Sequence, residues 1–248
     1  MTLLVPSLPA ACATAAERLP KLSPAHQRIL SSPDADLHQL ARWIDTDPAL
    51  CSYMLRVANS PFYGLSHKIE TTSDAAMILG RAAVTSICAA AMLRAIAMPV
   101  HVREFDPETF WRQSVMVACL SAQAAPFCKV GPESAFSAGL LHGIGNLLAA
   151  VSGGLHGSTM EALGASMAAS WHLPESIVEG ILFSAEPSAS APLSVAVHFG
   201  RCQLAADAGM AVPELAAPFP TITAHEEAVA QARLAYESFV ADFVTGAV

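Results

Sequence analysis

Helix punctuation recurs along this chain with almost no strand signal between its marks, and that pattern limits the fold more than any other feature. At Asp47-Pro48, and again at Asp106-Pro107, a capping carboxylate precedes a proline at the first helical position, where the missing N–H has no intrahelical partner to lose. Between residues 36 and 44, Leu37, Leu40, Ala41 and Ile44 fall on one helical face. The helix opened by Pro48 is expected to bury Leu50, Cys51, Met54, Leu55 and Ala58 and to stop at Asn59-Ser60-Pro61. Ser73-Asp74 is expected to cap a short helix ending at Gly80, with a second apolar helix from Arg81 to Met98 halted by Pro99. From Pro107 a helix should run toward Ala125, ended by Pro126. Later helices are expected at Pro132–Leu141, Met160–His172, Pro174–Phe183, Val195–Ala208 and Thr223–Phe243, the last capped by Thr223 with Glu226 three residues on. The reading is all-α.

Composition agrees with it. Hydrophobic residues make up 53% and aromatics only 6%, with Ala and Leu dominant, which suits close helix–helix packing better than a β-sandwich. A net charge of −8 without a long Lys/Arg run argues against nucleic acid as a partner. Six cysteines without a CxxC pair read as reduced, buried thiols, which fits a cytoplasmic setting. The N-terminus lacks a positive start and carries two early prolines, so a signal peptide is not expected. Ser134 to Met160 contains no Asp, Glu, Lys or Arg, but His142, Asn146, His156 and glycines interrupt it, so the expectation is a buried helix and a turn, with no membrane partner. Polar, aperiodic residues 99–106 mark a boundary between an N-terminal helical unit, 1–100, and a second, 101–248.

Several segments carry a family resemblance. LPKLSP (19–24), ADLHQLARWIDTDPALCSYMLRVANSPFYG (35–64) and SDAAMILG (73–80) resemble the N-terminal half of the HDOD domain. FWRQS (110–114), AFSAGLLHGIGNLL (135–148), LGASMAASWHLPESI (163–177) and the helix near Ser194 resemble its HD-like half, so that the likeness spans about residues 15–210. The resemblance implies a two-part helical bundle whose C-terminal half is related to metal-dependent HD phosphohydrolases. It also draws attention to Asp47, Asn59, Ser60, Pro61, Phe62 and Tyr63 as a partner-facing or interdomain turn. Their bottom-up reading is plainer: Asp47 caps a helix, Asn59 bonds freed carbonyls, and Phe62 and Tyr63 staple two helices together.

HD hydrolases, as the resemblance implies, bind divalent metal through a histidine, a later His-Asp pair and a distant aspartate. The metal lowers the pKa of a bound water for attack on phosphorus. Here the first position reads Gln113, the pair reads His142-Gly143, and the final aspartate falls near Arg201; a histidine pair found in some subclasses falls near Phe183-Ser184. A cation about 4 Å from a divalent metal is repelled by about 8 kcal/mol at an effective dielectric near 20. A metal cofactor and hydrolysis are therefore not expected. A lone histidine such as His142 in an apolar helix reads first as a hydrogen-bonded core residue. The leading expectation is a non-enzymatic regulatory module that binds a signalling protein. Two alternatives stand beside it: a nucleotide or phosphate sensor using a cavity lined by Gln113, His142, Asn146 and Arg201, and a residual metal-dependent phosphohydrolase.

Overall fold

In a computed structural model the chain is described over residues 5–244, apart from 22, 33, 60–66, 104, 172, 189 and 211–221. Twelve helices and no strand occur among the described residues. Helices α1 (Ala10–Ala16), α2 (Pro24–Ser31), α3 (Leu37–Ile44), α4 (Pro48–Ala58) and α5 (Thr72–Ala97) form the first half. The second half contains α6 (Pro107–Cys128), α7 (Pro132–Leu141), α8 (Ile144–Ser152), α9 (Met160–Ser170), α10 (Glu175–Leu182), α11 (Pro192–Asp207) and α12 (Ile222–Val244).

Each start has a local cause. Asp36 closes a capping box, accepting from Gln39 N at 2.7 Å while Gln39 Oε1 accepts from Asp36 N at 3.1 Å. That sets Leu40, Ala41 and Ile44 into the core, where a fully buried Leu or Ile contributes about 1.5–3 kcal/mol. Asp47 Oδ1 accepts from the N–H groups of Ala49 and Leu50 at 3.0 and 3.2 Å, opening α4 as expected. Leu50, Met54 and Ala58 are buried on α4, whereas Cys51 and Leu55 are half-buried. Asp106 caps α6 through Glu108 N and Thr109 N.

Three local expectations change. The cap of α5 is Thr71, whose Oγ1 accepts from Asp74 N at 3.1 Å, so Ser73 and Asp74 already lie within the first turn. The expected break at Gly80 is present as a kink with φ 74°, a left-handed conformation that glycine adopts without a Cβ penalty. Pro126 lies inside α6: a proline in the last turn forfeits only one ladder bond, and Lys129 in the left-handed region then ends the helix two residues later. Thr223 falls inside α12 and is not its cap. The helix expected over Pro132–Leu141 is present as α7, and after the break at His142-Gly143 the apolar run resumes as a further helix, α8, that the sequence pattern does not announce. Pro132–Ser152 is apolar and long enough to cross a membrane by composition, but 72% of its most apolar window is buried inside this protein.

α6 is the axis of the second half, with α7, α11 and α12 packed around it. Trp111 on α6 is fully buried, and the Arg94 guanidinium of α5 lies 4.9 Å from its ring centroid, which ties the two halves at their joint. α12 packs on its own chain: Phe239 meets Phe136 at 5.5 Å between ring centroids, and Arg233 pairs with Asp207 at 3.1 Å. α1 lies on α8, so the N-terminal segment is built into the second half.

Candidate functional site

The break between α7 and α8 creates the site. His142 sits at the end of α7 and donates from Nδ1 to Gly139 O at 2.6 Å, which leaves the lone pair on Nε2. Burial drives its pKa down to about 4, the positive charge of Arg201 pushes the same way, and the Gly139 carbonyl and Glu161 oppose them only in part. The imidazole is neutral at physiological pH.

Arg201 reaches this region from α11. Its Nη1 donates to Ser184 Oγ at 2.6 Å and to Glu161 Oε1 at 2.9 Å. The Arg201 and Glu161 side chains keep only 31% and 15% of their surface exposed, so the ion pair is largely sheltered. Ser184 is fully buried, and its hydroxyl donates to Ile181 O at 2.8 Å. Behind it, His198 Nδ1 donates to Ser184 O at 2.9 Å, and Cys202 Sγ lies 3.4 Å from His198 Nε2.

Glu161 is the site residue that sequence reasoning missed. Thr159 caps α9 and places Glu161 in its first turn. α9 can start there because Gly145 has no side chain: a Cβ on it would lie 1.9 Å from Met160 O. No spacing rule links Glu161 to Arg201, 40 residues away.

Gly143 contributes no ligand atom. A Cβ added to it would lie 3.1 Å from Phe110 Cε2 and 3.8 Å from Ser114 Oγ, so the ring of Phe110 covers the space a longer side chain would need. The Ser114 hydroxyl is buried and has no hydrogen-bond partner among the described residues. Gln113 and Asn146 are exposed and stand apart from the Arg201 cluster, on the wall of a groove of about 630 Å³ that also includes Arg103, Phe110 and Gly153-Gly154. The four residues expected to share one cavity are thus divided: Gln113 and Asn146 line the groove, whereas His142 and Arg201 belong to the polar cluster. Among the described residues, no group of three or more His, Cys, Asp or Glu is arranged to hold a metal ion.

In the first half, Asp47 has a second contact beyond its cap, with Oδ2 lying 3.6 Å from His26 Nδ1. Asn59 closes the turn after α4: Nδ2 donates to Leu55 O and Ile69 O at 2.7 and 2.8 Å, and Oδ1 accepts from Ile69 N at 2.7 Å. Ser60, Pro61, Phe62 and Tyr63 lie outside the described residues.

The HDOD domain model matches residues 17–152, more than half of the chain, and the chain belongs to the HDOD domain family. Solved structures share the fold. A "Putative phosphohydrolase" from Shewanella amazonensis SB2B superposes with a TM-score of 0.63 at 24% identity, over 93% of this chain and 98% of that one. An "HDOD domain protein with unknown function" from Geobacter sulfurreducens gives 0.62 at 19% identity, over 94% and 93%. A "Putative signal transduction protein" from Marinobacter aquaeolei VT8 gives 0.70 at 20% identity, over 93% of this chain but only 64% of that one. No curated protein matches the sequence.

Proposed function

We propose that this HDOD protein is a non-enzymatic regulatory module that works by binding another signalling protein, and that its HD-like half no longer holds a metal. One observation carries the reading: the Arg201 guanidinium, bonded to Glu161 and Ser184, is the cation beside His142. A divalent ion there would have to displace that cation or share the single nearby carboxylate with it. The repulsion between them at about 4 Å is of order 8 kcal/mol at an effective dielectric of 20. Gly143 supplies no ligand, and Phe110 crowds the place of one. The residues present do not fit a divalent metal centre, and no hydrolytic step is assigned to them. A cytoplasmic setting belongs to the same proposal, motivated by six thiols without a disulfide. The structural likeness to a protein named for signal transduction supports the regulatory part by analogy of fold.

The decisive experiment strips the protein with chelator, reloads it with Mn²⁺, Fe²⁺ or Zn²⁺, and measures bound metal together with turnover of an activated phosphodiester. Neither stoichiometric metal nor turnover is expected. Stoichiometric metal with turnover lost in His142→Ala would instead establish a residual phosphohydrolase. The partner half of the proposal requires a signalling protein that, once purified, binds the full chain saturably.

A second reading, a phosphate-ligand sensor, has one observation in its favour: the groove that joins Gln113, Asn146 and Arg103. Calorimetric titration with a nucleotide panel separates the two readings. Saturable binding weakened by Arg103→Ala or Asn146→Ala would select the sensor.

A further inference from the structure

A second, smaller cavity lies away from the Arg201 cluster, where α2 and α5 of the first half meet α7 and α10 of the second. Its volume is about 260 Å³, equal to the liquid volume of roughly eight or nine waters. Ile29, Leu141, Leu173 and Ile177, all nearly or fully buried, make its apolar lining.

Its polar lining has one charge of each sign, Arg81 and Glu133, and four hydroxyl residues. Arg81 is held in place from the first half by donating to Ala35 O and Ser32 O. The starts of α7 and α10 both border the cavity, and neither helix has a side-chain cap. Their first-turn N–H groups therefore lack the side-chain acceptor that most helix starts carry.

Ser137 adds a hydrogen-bonding group to this lining. It is 6% exposed and lines the cavity, so its hydroxyl belongs to the wall a ligand would meet.

We propose that this cavity binds a small zwitterionic molecule with an apolar side chain, of the size and type of a free aliphatic α-amino acid. The opposed charges of Arg81 and Glu133 match a zwitterion: a net anion would meet Glu133, and a net cation would meet Arg81. The carboxylate takes the Ser137 hydroxyl and the uncapped N–H groups, the ammonium takes Glu133, and the side chain lies against Leu141 and Ile177. Because the walls come from both halves of the chain, occupancy stabilises their association and gives the regulatory module a chemical input.

The test is calorimetric titration of the full chain with L-leucine, 4-methylpentanoate and isoamylamine, three probes that share the apolar body and differ in charge. Saturable binding of leucine at least tenfold tighter than either analogue is expected, with at least a fivefold loss in Ser137→Ala. Thermal melts of that variant without ligand check that the fold is kept. A second variant, Glu133→Gln, should lose discrimination between leucine and 4-methylpentanoate while still binding both. No saturable leucine binding at millimolar concentration overturns the proposal, as does equal binding of all three probes or leucine binding unchanged in Ser137→Ala. None of these outcomes bears on the metal or the signalling partner.

Discussion

Two histidines, one buried in the first half and one half-buried in the second, answer to opposite charges. His26 on α2 is 7% exposed and lies 3.6 Å from the Asp47 carboxylate, and His142 at the end of α7 lies in the field of Arg201. Burial lowers both pKa values; Asp47 partly restores His26, whereas Arg201 depresses His142 further. Asp47 itself shows how crowded the first cluster is. Burial pushes its carboxyl up, but the Ser23 hydroxyl, the Leu50 and Ala49 N–H groups and His26 together hold it below the usual range. The first half thus uses its carboxylate to organise a helix start. The second uses its carboxylate to neutralise an internal guanidinium.

Reversing the charge in the second cluster should have the largest effect. Arg201→Asp sets a carboxylate against Glu161 and is expected to cost about 3–5 kcal/mol in urea unfolding; a variant as stable as the parent would mean that the pair is incidental. Acid comes next. A histidine whose folded pKa lies below its unfolded value of about 6.5 favours unfolding when protonated, so its contribution is intact above that pH and lost as pH falls toward 4. For His142 the loss is about 3 kcal/mol at most, and unfolding curves of His142→Gln between pH 7 and 4 should be correspondingly flatter. Asp47→Ala removes the cap of α4 and should cost about 1–2 kcal/mol. The smallest effect is the sharpest on sign. In NMR titrations, Arg201→Gln should raise the His142 pKa while Asp47→Asn lowers that of His26, and shifts in the same direction would dissolve the contrast between the halves.

Much of the architecture is legible where local chemistry dictates it. Asp47-Pro48, Asp106-Pro107 and Gly80 announce starts and breaks within a few residues of where they fall. The end of α7 at Leu141 is legible, but the restart of the chain as α8 is not, because no cap or proline marks Ile144 and the run to Gly153-Gly154 is largely apolar. The site was half visible. Gln113, His142, Gly143 and Arg201 could be picked out by motif, but their division between a groove and a polar cluster depends on how α6, α8 and α11 pack. Glu161 could not be picked out at all, since its partner comes from another helix and its own neighbours, Met160 and Ala162, carry no signal. Ser137 was hidden for a similar reason: a serine in an apolar helix is unremarkable until packing places it in the wall of a cavity.

The seating of α1 on α8 has a consequence for biosynthesis. Cys12 Sγ lies 3.5 Å from Ser152 Oγ across 140 residues of chain, and Ser166 Oγ donates to Pro6 O at 2.5 Å. At about 5–20 residues per second, a ribosome needs roughly 7–28 s to deliver the docking surface after the first helix has emerged. For that interval the apolar side of the nascent N-terminus is uncovered, an opportunity for chaperones and a hazard for aggregation that closes only when the second half is complete.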